Sequence, residues 1–466
     1  MVLASANPGT TSGRARARLV KLFDRGTIGP ATPGGPHGVD VARGDVLGNS
    51  AVAFATEPSR RGGAIGVADC RRIADAIDHG VRDGQPVVGL WHSGGARIDE
   101  GVAALHGVGS VFSAMVRASG RVPQISVVLG PAAGGAAYGP ALTDIVIMTT
   151  AACIFVTGPD VVREVTGEHV DMERLGGSEP HSRKSGVAHI ISPDDRSALE
   201  TARLLVDVLG RPGLLEPDSV ADVDLLRYLP GDRGRPGDAQ GLVDALLDRP
   251  GIELHARWAP NVVTSLGRFG GRAVGVVANN PDRLGGCIDG AGADKAARFV
   301  RMCDAFGLPV IVVVDVPGHL PGLGEEWDGI VRRGAKLLHA FAEAVVPTVT
   351  LVTRKAYGGA YIALNSRALG ATAVLAWPDA EIAMLGAPAA VDLLHRQTLA
   401  AAAPGERERL RDELIRCHRA NGGGLGRAFA AGVVDEVVPP SKTRSRIARV
   451  LAGAPAARGV HTNIPL

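Results

Sequence analysis

Gly130-Pro-Ala-Ala-Gly134-Gly135-Ala-Ala-Tyr138-Gly-Pro-Ala141 is the stretch whose reading decides this chain. It follows an apolar run, Pro123-Gln-Ile-Ser-Val-Val-Leu129, which is bounded by turn residues and reads as a buried strand. A second β-rich run, Ile145-Val-Ile-Met148, comes shortly after. A strand that runs into paired glycines lets the main chain approach a ligand or a neighbouring element closely. Two successive free N–H groups at such a turn form a hole for a developing oxyanion. Taken alone, a glycine pair after a strand more often marks only a tight turn.

An echo further along raises its weight. Ala356-Tyr-Gly358-Gly359-Ala360-Tyr361 again follows a strand-like run, Thr348-Val-Thr-Leu-Val-Thr353. The interval from Gly134 to Gly358 is 358 − 134 = 224. Gly62-Gly63 maps onto Gly285-Gly286 (285 − 62 = 223), and Pro86 onto Pro309 (309 − 86 = 223). Pro86-Val-Val-Gly-Leu-Trp-His-Ser-Gly-Gly95 therefore lies over Pro309-Val-Ile-Val-Val-Val-Asp-Val-Pro-Gly318. The chain reads as one α/β unit used twice.

Its 466 residues fit two large domains, which we divide at 1–220 and 221–466. Apolar content of 45% and charged content of 21% are those of an ordinary globular protein with ample core. A net charge of +2 gives no reason to expect nucleic acid or an anionic membrane as partner. The five cysteines, Cys70, Cys153, Cys287, Cys303 and Cys417, form no Cys-x-x-Cys pair, which argues against a zinc ribbon or disulfide framework. No charged-then-apolar leader and no membrane-length apolar run are read, so the expected setting is cytoplasmic.

Along the chain, residues 1 to about 13 are small and polar and are expected to be disordered. Arg14 to Phe23 suits a short basic helix, and Val46 to Phe54 a hairpin. A helix is expected from about Val67 to Val81, then a strand Val87 to Trp91, a glycine turn Gly94-Gly95-Ala96-Arg97, and a helix from near Asp99. This strand, glycine turn and helix N-terminus place ligands at the carboxyl ends of strands. Ser197 to Leu209 is a further helix. Glu216 to Asp248, rich in Pro, Gly, Asp and Arg, reads as a linker. The second half repeats the pattern with strand Val310 to Val314 and helix Ile330 to Ala344. Trp377 to Ala387 stands where Phe155 to Gly158 stood, and a charged helix, about Gly405 to Ala420, is inserted.

The chemistry on offer is narrow. The chain has no Gly-x-x-x-x-Gly-Lys-Ser/Thr loop, no His-Glu-x-x-His and no nucleophile-elbow motif. His92 and Ser93 are adjacent on a strand, so their side chains diverge. His319, between two Pro-Gly turns, reads as a loop histidine on a rim. Asp144 and Asp99-Glu100 read as caps and solvated carboxylates. Arg60-Arg61 and Arg97 lie beside glycine turns, where a phosphate-bearing ligand has room. What remains is main-chain amides in two duplicated sets. Such a site suits an enolate-like oxyanion in chemistry on a thioester or urea carbonyl.

Here a resemblance enters. Gly94-Gly-Ala-Arg-Ile-Asp-Glu-Gly101, Gly130 to Tyr138, Phe155-Val-Thr-Gly-Pro-Asp-Val-Val162, Leu175-Gly-Gly177 and Asp315-Val-Pro-Gly-His-Leu-Pro-Gly322 occur in that order. Arg332-Arg-Gly-Ala-Lys336, Ala356 to Ala360, Gly432-Val-Val-Asp-Glu436 and Asn463-Ile-Pro-Leu466 follow. Together they resemble the carboxyltransferase (β) subunit of biotin-dependent acyl-CoA carboxylases, most of all the shorter actinobacterial acetyl-/propionyl-CoA carboxylase β chains.

The resemblance implies two crotonase-like (ββα spiral) domains in a ring-shaped homohexamer, a trimer of dimers, with each site completed by a neighbouring subunit. It implies that Gly134 and Gly135 amides hold the acyl-CoA thioester oxygen, and that Gly386 and Ala387 amides hold the ureido oxygen of biotin. Gly95, Ala96 and Arg97 would line the CoA side, with Arg60 and Arg61 near its phosphates and Gly358 and Gly359 beside the substrate. No metal is implied. No Ala-Met-Lys-Met biotinylation site and no ATP-binding domain are recognised, so biotin and biotin carboxylase would come from a separate α subunit. The resemblance leaves open acetyl-CoA, propionyl-CoA or a longer acyl group, and which pathway the enzyme serves. Pro388, after Gly386-Ala387, lacks an N–H and fixes φ, which bears on the acyl chain accepted. Two other readings are a biotin-dependent decarboxylase component and a biotin-independent crotonase-type hydratase or isomerase. A scaffold that has lost its chemistry is a third, and both glycine pairs argue against it.

Overall fold

The computed structural model describes residues 13–29, 38–230, 235–421 and 424–465. The expectation for residues 1 to about 13 lies, but for Gly13, outside the described residues. The chain forms two compact units. Against the sequence division at 220/221, residues 213–220 pack with the second unit. Two short segments, His255–Trp258 and Val460–Pro465, belong to the first.

The first unit opens with helix α1 (Arg14–Leu22). Strands β1 (Val39–Val46) and β2 (Asn49–Thr56) pair as an antiparallel hairpin. Leu47 and Gly48 close it with φ of 50° and 74°, the two positive values that let a two-residue turn follow the strand twist. Then come β3 (Val87–Ser93), β4 (Gln124–Ala133), β5 (Ile145–Thr149), β6 (Cys153–Phe155) and β7 (Ile190–Ser192). The sheet order is β1-β2-β3-β4-β5-β7, parallel from β2 onward, with β6 pairing the end of β4. Parallel strands are covered on both faces, which is why β3 and β5 read as nearly unbroken apolar runs.

Helices α2 (Val67–Asp83) and α3 (Gly101–Ala118) lie between these strands in sequence. On α2 the buried Cys70, Ile73, Ala76, Ile77 and Gly80 recur at helical spacing, and Gly84 at φ 66° ends the helix. Residues Ile98–Ala118 are long and apolar enough to cross a membrane by length and composition, where none was expected. Ala104, Val108, Val111, Ala114 and Met115 on that stretch are buried in the unit's core, as in a core helix. Its other side shows Ile98, Val102 and Leu105, 95%, 82% and 64% exposed. At the centre, Trp91 meets Phe54 edge-on at 5.2 Å and donates from Nε1 to Ser126 Oγ at 3.0 Å. A Cβ on Gly139 would stand 2.7 Å from the indole, so glycine is needed for that ring to lie against the chain.

The second unit holds β8 (Ile252–Leu254), β9 (Val262–Phe269), β10 (Arg272–Asn279), β11 (Val310–Val316), β12 (Thr348–Tyr357), β13 (Ala373–Ala376), β14 (Glu381–Ala383) and β15 (Glu436–Val437). Its order is β15-β13-β12-β11-β10-β9-β8, with β14 pairing β12. The duplication read from glycines and prolines is present as backbone geometry. Gly270-Gly271 closes β9 and β10 with φ of 54° and 83°, 270 − 47 = 223 residues after Leu47. The lone bridge Ile65–Ala96 returns as Ile288–His319 (288 − 65 = 223; 319 − 96 = 223). The register shift between Trp91 and Ser93 returns between Val314 and Val316 (316 − 93 = 223).

The segment Glu216 to Asp248 is not a linker. Val220, Leu225, Leu242, Val243, Leu246 and Leu247 are buried in the core of the second unit. Asp238 caps a helix, Ala239–Leu246, by accepting from the Gly241 N–H at 2.8 Å. The Pro, Gly, Asp and Arg content hid a cap and a short apolar stripe that become visible only once a sheet stands opposite.

Candidate active site

In the first unit β4 ends at Ala133, and Gly134 turns the chain into α4 (Gly135–Ala141). Gly134 has φ 56° and ψ −128°, a conformation that side chains disfavour strongly. Its N–H donates to the Phe155 carbonyl at 3.1 Å. The N–H groups of Gly135 and Ala136, the first two of α4, have no acceptor among the described residues, because a helix leaves its opening donors unpaired. Ala136 was not singled out from sequence, since an alanine after two glycines gives no signal.

Gly95 brings the end of β3 against this turn. A Cβ placed on it would stand 2.9 Å from the Ala133 carbonyl oxygen, and its φ is 104°. The bridge to Ile65 uses the Gly95 carbonyl and the Arg97 N–H, both at 2.9 Å, and leaves the Ala96 N–H without an acceptor among the described residues. Unpaired amides thus come from two neighbouring turns.

Arg97 is engaged within the protein. Its guanidinium pairs with the fully buried Asp69 at 2.6 Å and with Glu100 at 3.0 Å, and donates to the Ala64 carbonyl at 3.2 Å. Asp69 also accepts the N–H groups of Gly38 at 2.7 Å and Gly66 at 3.0 Å. The pair braces the loop that carries Gly95 and Ala96. Asp69→Ala leaves two amides without an acceptor and Arg97 with Glu100 as its remaining ion-pair partner, and should lower stability by about 3 kcal/mol in urea unfolding. Arg60 and Arg61 are exposed beside Gly62-Gly63, whose loop is tied to the site by the Gly94 N–H donating to the Gly62 carbonyl at 3.0 Å. Arg61 is ion-paired with Asp99, whose carboxyl it holds below its usual range.

In the second unit Tyr357 ends β12, and Gly358 and Gly359 open the helix Gly358–Ala363. Gly358, at φ 58°, lies so close to β14's exit that a Cβ would stand 3.1 Å from the Met384 carbonyl oxygen. Two residues on, Gly386 faces the Tyr357 ring, and a Cβ there would be 3.1 Å from Cε2. The helix Ala387–Leu394 begins at this point. The N–H groups of Gly386 and Ala387 have no acceptor among the described residues. The corresponding place in the first unit is Gly158-Pro159 (386 − 158 = 228; 387 − 159 = 228), the start of helix α5 (Pro159–Thr166). Proline has no N–H. One fold position therefore carries a free donor in the second unit and none in the first. The inserted helix Pro404–Asn421 backs the Ala387 helix through Val391, Leu399 and Ile415, and Arg411 grips Asp392 with two 2.7 Å bonds.

Other chemistry is poorly served. Burial pushes the Cys70 thiol up to about 12 and also raises Cys153, Cys287 and Cys303, so none of these is a thiolate at neutral pH. Among the described residues no group of three or more His, Cys, Asp or Glu could hold a metal ion.

Residues 32–458 match the family model of the carboxyl transferase domain. The chain belongs to the carboxyl transferase family. This carboxyltransferase is 55% identical over 453 residues to the biotin-dependent acetyl-/propionyl-coenzyme A carboxylase beta6 subunit of Mycobacterium tuberculosis, covering 96% of each chain. It is 53% identical over 457 residues to the propionyl-CoA carboxylase beta chain of Rhodococcus erythropolis, covering 97% of this chain and 96% of that one. Among solved structures it resembles transcarboxylase 12S, described as a hexamer with methylmalonyl-CoA and methylmalonic acid bound. There the TM-score is 0.91 at 38% identity, covering 97% of this chain and 92% of that one. Both units of the carboxyltransferase thus have the crotonase-like fold expected from the sequence motifs.

Proposed function

We propose that this carboxyltransferase is the β component of an acyl-CoA carboxylase. It moves a carboxyl group from biotin on a partner α subunit to the α-carbon of a short acyl-CoA, making malonyl-CoA from acetyl-CoA or methylmalonyl-CoA from propionyl-CoA. The observation that carries this reading is the unpaired amide of Ala387 beside that of Gly386, where the first unit has Pro159. A small planar carbonyl such as a cyclic urea suits two adjacent unpaired donors beside a tyrosine ring. Carboxybiotin, when bound, supplies activated CO2 and a basic nitrogen, which accounts for a site without a protein acid/base pair.

The residues of the chain do the rest. Gly386 and Ala387 hold the ureido oxygen, with Gly358 and Gly359 shaping the adjoining turn. Gly135, seconded by Ala136, donates to the thioester oxygen as negative charge develops there, and Gly134 sets their direction. Gly95 and Ala96 line the CoA side with main chain, Arg97 braces that loop, and Arg60 and Arg61 lie where CoA phosphates would pass. A homohexamer, as described for transcarboxylase 12S, would cover apolar residues each unit exposes: Ile98 and Val102 in the first, and Trp327 and Val331, 80% and 74% exposed, in the second. This reading keeps the cytoplasmic setting expected from the sequence.

The test uses the purified protein with malonyl-CoA or methylmalonyl-CoA and free biotin. Biotin-dependent decarboxylation is expected, and the ratio of the two rates reports acyl preference. Turnover that ignores biotin, or none even with a biotinylated α subunit, would sink the proposal.

A further inference from the structure

His319 stands at the end of β11, where a bridge to Ile288 pins its backbone. The Leu320 N–H donates to the Ile288 carbonyl at 2.9 Å, and the Ile288 N–H to the Gly318 carbonyl at 3.1 Å. Its counterpart at the 223-residue interval is Ala96, placed above on the acyl-CoA side. The same fold position carries a methyl group in one unit and an imidazole in the other. The half-buried ring has space because its neighbours are glycines. A Cβ on Gly359 would lie 3.7 Å from its Cε1, and one on Gly334 3.9 Å from its Nε2.

Among the described residues neither ring nitrogen has a hydrogen-bond partner, and neither is sealed inside the protein. Half-buried polar groups usually find a partner in the fold, so an open one at a strand end is available to a ligand. Burial holds the ring below the usual histidine pKa, so at neutral pH it is uncharged, with one donor and one acceptor. Gly358, next to Gly359, packs on Met384, two residues before Gly386. The imidazole therefore borders the Gly358-Gly359 turn, which packs on the segment that leads to Gly386.

We propose that His319 contacts the carboxyl donor, its imidazole N–H bonding to the ureido oxygen of biotin beside Gly386 and Ala387. This rests on the function proposed above. It gives the second unit a side-chain donor where its main-chain donors end, and Ala96 leaves the first unit without one.

His319→Phe keeps the ring's bulk without its hydrogen bond, and His319→Gln restores an N–H at similar reach. With the full-length protein, His319→Phe should raise the KM for biotin about tenfold and leave the KM for malonyl-CoA unchanged, as loss of one hydrogen bond implies. Calorimetric binding of biocytin, with no acyl-CoA present, should weaken by about the same factor, and His319→Gln should recover most of both. Unchanged KM and biocytin binding in His319→Phe would overturn the proposal. A parallel rise of both KM values with a lowered Tm would also overturn it, as a structural role. A wild-type enzyme that ignores biotin removes the function and the His319 role together. A biotin-dependent wild type with an unaffected His319→Phe variant removes only the latter.

Discussion

Ala387→Pro should slow biotin-dependent decarboxylation of malonyl-CoA by about 10²–10³-fold while the protein remains folded. The substitution rebuilds in the second unit what the first already has at Pro159, which opens α5. Proline is well accepted at the first position of a helix, where its missing N–H would have had no intrahelical acceptor. Ala387 is such a position, and its N–H bonds to nothing among the described residues. Stability should therefore change little. What is lost is one donor proposed for the ureido oxygen, and removal of a single oxyanion-hole donor costs rates of this order. The check is a steady-state assay with varied biotin, paired with a thermal melt. A folded variant with wild-type turnover would refute the role given to Ala387, because the substitution removes that N–H.

The second large effect is expected at Gly134, for a different reason. Its N–H is already engaged with Phe155, so the residue acts through its backbone shape. A Cβ there would meet only the Val156 carbonyl oxygen, at 4.0 Å, so crowding is not the issue. The cost comes from φ 56° and ψ −128°, which a side chain adopts at a penalty of about 1–3 kcal/mol. Gly134→Ala should relieve that strain by rotating the turn and re-aiming the Gly135 and Ala136 amides. A fall in kcat/KM for malonyl-CoA of about 10²-fold or more is expected, with a Tm loss small enough to leave the protein folded at assay temperature. The biocytin affinity measured by calorimetry should not move, since Gly386 and Ala387 are untouched. An active, folded Gly134→Ala enzyme would mean that the turn does not set the thioester donors.

Much of this was legible beforehand because glycine and proline report backbone demands directly. Gly62-Gly63, Pro86 and Gly134 recur at a near-constant interval, and the same interval reappears in matched turns, bridges and register shifts. The hairpin at Leu47-Gly48 and the strand ends at Gly95 and Gly358 were readable for the same reason. The Glu216 to Asp248 segment was misread because its apolar residues are interspersed with Pro, Gly, Asp and Arg and gain meaning only from the sheet they cover. No membrane-length apolar run is read from the sequence, yet Ile98–Ala118 is one by length and composition, and only the fold separates its buried side from its exposed one.

The sequence by itself determined the duplicated α/β plan, the family, and the glycine turns proposed to carry the chemistry. Only the tertiary structure decided which donors at those turns are free. It spends the Gly134 amide on Phe155, leaves those of Gly135, Ala136, Gly386 and Ala387 unpaired, and locks Arg97 against Asp69. A residue's type states what it can donate, but whether that donor is available depends on the acceptors that folding brings beside it from distant parts of the chain.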